Sequence, residues 1–210
     1  MEENLFKRNT EWRPYSANGG RTARFYKAGG KNCMMAKNAR RALFIGRFQP
    51  FHNGHLASVK HILDECGELV IAVGSPDKSH QPDNLFTLGE RIEMIHESLK
   101  DEGLSARAIA IGVPDISYNA LWARHVTALS PIFDVVYTNN PLVSRLFREQ
   151  GLALRGIPLF RREEYDGAHI RSLMLKRGAW RRLLPRAAVR VADAADAEQR
   201  LADVAKGDKV

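Results

Sequence analysis

At 210 residues, with 44% hydrophobic and 27% charged side chains, the chain has the size and composition of one globular domain. It has no apolar run near the roughly 20 residues that a membrane span needs, and its basic N-terminus lacks the apolar stretch of a secretory signal. The two cysteines, Cys33 and Cys66, form no motif, so we expect a reducing, cytoplasmic location.

The net charge of +8 is concentrated at the N-terminus. Residues 1–41 carry 10 Lys/Arg and 3 Asp/Glu, whereas the rest of the chain carries 22 and 21. The body is therefore nearly neutral, and we expect nucleic acid to be bound by residues 1–40 if at all. That segment lacks a sustained apolar period, as is typical of a disordered tail. Three interpretations of residues 1–34 stay open: a solvated tail, a start assigned too early with the domain beginning near Met35, and an arm that binds RNA.

Apolar runs and helical patterns alternate from residue 41 onward. Strands are predicted at 42–45, 69–74, 107–112, 134–138 and 153–157. Helices are predicted to begin near Asn53 and after the N-cap residues Thr87, Asn140 and Asp166. This alternation predicts an α/β fold with a doubly wound, mainly parallel, Rossmann-like sheet of five to six strands. We expect a basic tail at 1–40, the domain at 41–186, and an alanine-rich surface helix with a frayed end at 187–210.

The junction between the first strand and the first helix gathers residues suited to an anion. Residues 43–55 read LFIGRFQPFHNGH, which is an apolar strand, a polar turn and a helix start. The free N–H groups of a helix N-terminus bind phosphate, and Arg47, His52 and His55 would add donors there. The alternative for the two histidines is a helix cap or half of a metal site, although no further His or Cys cluster completes a ligand set.

These residues carry a resemblance to a known family. HNGH is an instance of the (H/T)xGH signature of nucleotidylyl transferases, and GRFQPFHNGH resembles the archaeal-type nicotinamide-mononucleotide (NMN) adenylyltransferases. GSPDKSHQPDNLFTLGER, PDISYNALWARHV, VYTNNPLVSRLF and REEYDGAHIRSLM resemble further segments of that family. The resemblance runs from about residue 41 to about residue 190. It implies transfer of the adenylyl group of ATP to the 5′-phosphate of NMN, which gives NAD⁺ and pyrophosphate.

The resemblance also implies which residues act. Those expected to place donors and positive charge around the pyrophosphate are His52, His55, Arg47 and Arg171. Those expected to contact ATP are Gly46, Phe48, Gly54, Thr138, Asn140 and Ile170. Those expected to contact NMN are Trp122, which could stack on the pyridine ring, Asn119 and Ser75. We expect Mg²⁺ to arrive on the phosphates of ATP rather than in a protein metal site, and the resemblance implies a homo-oligomer, often a hexamer.

Some positions depart from the family pattern. Asp166 and Ala168 stand where the SGTxIR motif has Ser and Thr, and Asp83 stands where members commonly have a basic residue. Lys78 could compensate for Asp83, and Asp166 could turn away to cap its helix. Arg91 is either a ligand contact or a helix-surface residue that pairs with acids. These departures put triphosphate affinity and the rate of turnover in question.

Three alternative functions stay open. A related adenylyl- or cytidylyltransferase could use phosphopantetheine, FMN or a phosphorylated polyol, although Trp122 and Asn119 argue against it. A fragment of a class I aminoacyl-tRNA synthetase would share an HxGH-like site, but the sequence has no KMSKS-like lysine loop. A catalytically impaired relative that senses nucleotides or binds RNA would fit the basic segment and the substitutions at the motif.

Overall fold

A computed structural model describes residues 41–207, and the expectations for residues 1–40 and 208–210 lie outside this range. Its sheet has five strands: β1 Arg41–Gly46, β2 Glu68–Gly74, β3 Ala108–Val113, β4 Val135–Tyr137 and β5 Ala153–Arg155. All neighbouring pairs are parallel, in the order β3-β2-β1-β4-β5. The predicted doubly wound fold is confirmed, with the lower of the two expected strand numbers.

Seven α-helices accompany these strands between residues 41 and 207: α1 Asn53–Glu65, α2 Leu88–Asp101, α3 Asn119–Leu129, α4 Pro141–Glu149, α5 Gly167–Leu175, α6 Arg186–Ala194 and α7 Ala197–Lys206. The predicted N-caps are confirmed, because the side chains of Thr87, Asn140 and Asp166 each accept a hydrogen bond from their own helix. Two short 3₁₀ helices span Ser105–Arg107 and Trp180–Leu183. None of the helices in this part of the chain is long and apolar enough to cross a membrane.

The core lies on both faces of the sheet. One apolar layer packs α1, α2, α5, α6 and α7 against it, and the other packs α3 and α4. Because β1 and β2 lie inside the sheet and are covered on both faces, their residues from Leu69 to Val73 and from Ala42 to Phe44 are buried. The carboxyl ends of β1 and β4 are adjacent, which brings the HNGH junction beside the turn after β4.

The expectation of a single alanine-rich surface helix is wrong. The chain forms two helices, α6 and α7, and turns at Asp196, whose φ of 47° lies in the left-handed region. Ala188 and Ala192 are fully buried, and α6 packs on α2. Arg200 adds two 2.8 Å bonds to the carboxylate of Glu90. The small alanine side chains therefore form a packing face that lets two helices approach closely.

Arg91 joins the loops around the site. Its guanidinium is fully buried and donates to the carbonyl oxygens of Arg47, Gly74 and Ser75 at 2.8–3.0 Å. It is therefore neither a surface residue paired with acids nor a free phosphate donor, which corrects both interpretations from the sequence. Because one side chain bonds to the segments after β1 and β2, it fixes the start of α2 against the carboxyl edge of the sheet.

Candidate active site

The two motif histidines cap the N-terminus of α1 together. His52 Nδ1 accepts from the His55 N–H at 3.2 Å, and His55 Nδ1 accepts from the His52 N–H at 3.3 Å. Their rings stack with centroids 3.5 Å apart. Because each Nδ1 is an acceptor, each neutral ring carries its proton on Nε2, where it is a hydrogen-bond donor. The cap that the sequence offered as an alternative thus orients both rings.

Burial keeps this imidazole pair neutral. It lowers the pKa of His52 to about 4. Burial, together with the neighbouring His52, also lowers the pKa of His55 well below its usual range. The rings of Phe48 and Phe51 lie 4.8 and 5.7 Å from that of His55. The histidines are therefore neutral donors near pH 7, and the positive charge that the sequence predicted here rests on the arginines.

A cleft of about 430 Å³ opens beside the imidazole pair. Its base is the start of α1, one wall is the turn after β4, and the other is the segment after β5. The predicted site residues that line it are His52, Gly54, His55, Thr138 and Asn140. The other lining residues are Phe44, Ile45, Ser58, Asn139, Pro141, Ile157, Pro158, Leu159, Phe160, Arg162 and Tyr165. The structure thus brings the HNGH motif and the turn with Thr138 and Asn140, which were expected to contact ATP, into one cavity.

Arg47 and Arg171 do not line this cleft. Arg47 is exposed and lies 3.6 Å from the carboxylate of Asp83. Arg171 bonds to loop carbonyls, with Nη1 donating to Gln49 at 2.6 Å and Nε to Pro82 at 2.8 Å. The arginines and Asp83 therefore form a second group, between α5 and the loop that follows β2.

Lys78, which the sequence offered as compensation for Asp83, has another partner. It pairs with Asp115 at 3.0 Å, and the Ser75 hydroxyl donates to the same carboxylate oxygen at 2.7 Å. These two bonds lower the pKa of Asp115, against the opposing effect of its burial. Asp83 thus remains the acidic partner of Arg47.

Phe48 and Ile170 lie in the core, at 1% and 0% exposure. Phe48 has a φ of 53°, and its ring packs edge-on against Phe44. A Cβ on Gly46 would come within 2.9 Å of the Phe48 ring, so this glycine leaves room for it. These two side chains therefore support the site from beneath, and the expected contact of both residues with ATP stays a prediction that only their backbone groups could meet.

The three expected NMN contacts lie outside the cleft. Ser75 follows β2 and is buried, while Asn119 is the exposed first residue of α3. Trp122 is partly buried and packs edge-on against Phe147 at 5.8 Å. Trp122 thus has a packing function and keeps part of its surface open.

Tyr165 was missed by the sequence analysis. Its Cβ lies 2.8 Å from the position that a Cβ on Gly54 would take, so glycine is required where α1 meets this loop. Its ring lies parallel to that of His52, with centroids 6.3 Å apart. Asp166 follows and accepts from the His169 N–H at 2.9 Å, which confirms that this carboxylate caps α5. The motif glycine was the one signal that another segment must approach here.

Known proteins resemble this chain in sequence, and others resemble it in fold. The profile of the family described as cytidylyltransferase-like matches residues 43–178. The nicotinamide-nucleotide adenylyltransferase of Methanolobus tindarius is 47% identical over 170 residues, which covers 81% of this chain and 97% of that protein. The enzyme of the same name from Saccharolobus solfataricus is 43% identical over 170 residues, which covers 80% and 99%.

A solved structure shows the same fold at lower identity. It is a bifunctional NMN adenylyltransferase/ADP ribose pyrophosphatase from Francisella tularensis, complexed with AMP and a manganese ion. The TM-score is 0.66 at 20% identity, over 79% of this chain and about half (52%) of that one. From its sequence identity to full-length relatives and its match to the family profile, the chain belongs to the nicotinamide-nucleotide adenylyltransferases of the cytidylyltransferase-like family.

Proposed function

We propose that the chain transfers the adenylyl group of ATP to the 5′-phosphate of NMN and so forms NAD⁺ and pyrophosphate. The observation that carries this proposal is the imidazole pair, which presents two Nε2–H donors at a helix N-terminus beside a cleft of nucleotide size. The high identity to full-length relatives of that name supports it.

The reaction needs placement and charge stabilisation more than proton transfer. An oxygen of the NMN phosphate attacks the α-phosphorus of ATP, and the bond from this phosphorus to the bridging oxygen of pyrophosphate breaks. The attacking oxygen is already anionic, so no general base is required. The two imidazoles and the N–H groups at the start of α1 would donate to phosphate oxygens as charge moves onto the leaving group.

Arg47 and Arg171 would supply positive charge at the triphosphate end. Two N–H groups of Arg171 already bond to loop carbonyls, which orients the guanidinium and leaves its other N–H groups for phosphate. Arg47 is paired with Asp83, so the triphosphate competes with that carboxylate for it.

The two substrates would lie on opposite sides of the imidazole pair. ATP takes the cleft, because Gly54, Thr138 and Asn140 line it. NMN takes the side of Ser75 and α3, where the open part of the Trp122 ring could stack on the pyridine and Asn119 could bond to its carboxamide or ribose. Phe48 and Ile170 hold the imidazoles and α5 in place by packing.

Mg²⁺ is the proposed metal, bound with ATP. Among residues 41–207, no three His, Cys, Asp or Glu side chains lie close enough to share an ion. We propose that the cation is held chiefly by phosphate oxygens and water, as Mg²⁺ commonly is. Bound there, Mg²⁺ would neutralise charge on the triphosphate.

We also propose a cytoplasmic enzyme that acts as a homo-oligomer, with the hexamer as the form to test. The free thiol of Cys66 and the use of ATP support this location. The oligomer rests on the family resemblance, and size-exclusion chromatography with light scattering would test it.

The decisive experiment measures NAD⁺ formation from ATP, Mg²⁺ and NMN, with the full chain and with a chain that starts at Met35. Nicotinic acid mononucleotide, FMN, 4′-phosphopantetheine and a phosphorylated polyol serve as competing acceptors, and CTP as a competing donor. We expect NMN and ATP to give the highest kcat/KM with both chains. A higher value for another pair would replace the proposed function, and ATP binding without turnover would indicate a catalytically impaired relative.

A further inference from the structure

A side-chain amide extends the sheet beside the cleft. The pairing of β4 with β5 ends at Tyr137 and Arg155, and the Thr138 N–H still donates to the Arg155 carbonyl at 3.0 Å. Beyond this point the side chain of Asn139 replaces the backbone. Its Nδ2 donates to the Ile157 carbonyl at 2.7 Å, and its Oδ1 accepts from the Ile157 N–H at 2.9 Å. One side chain therefore binds both backbone polar groups of Ile157.

The segment held in this way is a wall of the cleft. Residues 157–160, which we call the cleft wall, all line the cavity. Pro158 restricts the residue before it to extended conformations, so the wall begins with little backbone freedom. Its other end is held by packing, because the ring of Phe160 lies 6.2 Å from that of His61. The Asn139 bonds therefore fix the position of a segment that has few conformations of its own.

The residues around Asn139 make the opposite wall equally well formed. Thr138 Oγ1 accepts from the Asn140 N–H at 3.1 Å. Asn140 Oδ1 accepts from the N–H groups of Leu142 and Val143 at 2.9 and 3.2 Å. Each of the three polar side chains of this turn therefore bonds to backbone, which fixes this wall as well.

We propose that Asn139 is a positioning residue that sets the affinity for ATP by holding the cleft wall. The inference rests on the proposed function, in which ATP occupies this cleft. A preformed wall spares the nucleotide the cost of ordering it. The amide is exposed, so its bonds compete with water and add little to global stability. Arg47 and Arg171 lie outside the cleft, so the amide acts on nucleotide binding and not on the charge of the leaving group.

Asn139→Ala tests this inference. Because the variant loses both bonds, we expect the KM for ATP and its Kd from calorimetry to rise about 5- to 10-fold. We expect kcat and the KM for NMN to stay within about twofold of wild type. Hydrogen exchange gives a local readout: the Ile157 amide should exchange faster in Asn139→Ala. It should exchange at an intermediate rate in Asn139→Asp, whose carboxylate still accepts from the Ile157 N–H but has no hydrogen to donate to the Ile157 carbonyl.

The matched control is Gln199→Ala. Gln199 is an exposed amide on α7 with a 2.9 Å bond to Asp203, and its removal should leave both KM values unchanged. Unchanged ATP affinity in folded Asn139→Ala would overturn the inference. So would a joint loss of kcat, both affinities and Tm, which would mean a merely structural role. If the wild type binds ATP but forms no NAD⁺, the proposed function fails, and the calorimetric comparison still decides the function of Asn139.

Discussion

The imidazole pair, His52 and His55, and the arginine group, Arg47 and Arg171, differ in the physical means by which each would bind an anion. His52 and His55 are neutral and oriented by reciprocal bonds to each other's backbone, with their rings stacked 3.5 Å apart. Arg47, in contrast, is 55% exposed and pairs with an acid that is 64% exposed. A neutral N–H group stabilises an anion through a well-aligned hydrogen bond, so its position must be fixed by packing. A charge acts over a longer distance and can stay at the solvent edge.

The largest effect is expected at the imidazole pair. His55→Ala removes an Nε2–H donor and half of the reciprocal cap, so kcat/KM should fall about 10²-fold or more. His96→Ala, at an exposed position on α2, is the control and should match wild type. Steady-state kinetics with a thermal unfolding curve for each protein separate lost chemistry from lost folding. A folded His55→Ala with wild-type rates would show that the imidazoles are not the donors.

Arg171 should act both through its positive charge and through the fixed direction of its N–H donors. Arg171→Ala should lower kcat/KM by about 10²-fold, because it removes a charge and releases the carbonyls of Gln49 and Pro82. Arg171→Lys keeps the charge but not the fork of donors, and we expect a loss of about 10-fold. Measuring kcat/KM for ATP in both variants tests this order. If kcat/KM falls equally in both variants, the direction of the N–H donors dominates at Arg171 too. If kcat/KM does not fall in Arg171→Lys, the positive charge alone matters.

Lowering the pH should lower the free energy of unfolding through the titration of His52. The folded-state pKa of His52 is about 4, against an ordinary value of 6.5. Between these values the unfolded chain binds a proton that the folded chain does not, so stability is lost as the pH falls through this window. From pH 7.5 to 5.5, His52 alone should lower the free energy of unfolding by about 1.4 kcal/mol.

Urea denaturation at both pH values, with wild type and His52→Asn, measures this effect. Asparagine keeps an N-cap acceptor but does not titrate, so the variant should lose about 1.4 kcal/mol less than wild type. An identical pH dependence in the two proteins would show that His52 is not held neutral by the fold.

The smallest effect is expected at the exposed ion pair of Arg47 and Asp83. Asp83→Asn frees Arg47 for the triphosphate, so the KM for ATP should fall about two- to threefold with kcat unchanged. Asp203→Asn makes the same charge change on α7 and should leave the KM unchanged. Raising the ionic strength should shrink the difference between Asp83→Asn and wild type. A KM that rises in Asp83→Asn would mean that this carboxylate helps to hold the nucleotide.

Local signals in the sequence predicted the fold well. The strands depend on apolar runs, and the helix starts depend on pairs such as Thr87 and Glu90, three positions apart. The HNGH junction was found because its residues are contiguous. The fifth strand ends at Arg155, two residues before its predicted end, because Asn139 takes the backbone groups of Ile157.

The features that the sequence did not predict depend on distant partners. Arg91 is buried because carbonyls from two other loops surround it, one of them 44 residues earlier. Asn139 bonds to a residue 18 positions later. The neutral state of His55 follows from its burial among phenylalanines that the motif itself contains, but whose orientation no periodicity reveals. Periodicity reports which face of an element is apolar, and it does not report which segment will cover that face.

The central position of β1 has a consequence for how the chain is made. Leu43 pairs with Val70 on one side and with Val136 on the other, and the arginine group needs Arg171, which is later still. During synthesis β1 leaves the ribosome before β4 and must wait for β4 before its second edge is covered. Long-range parallel pairing of this kind folds slowly. A nascent chain released before α5 would therefore carry the whole HNGH motif and still lack Arg171, which bonds to the loop before that motif.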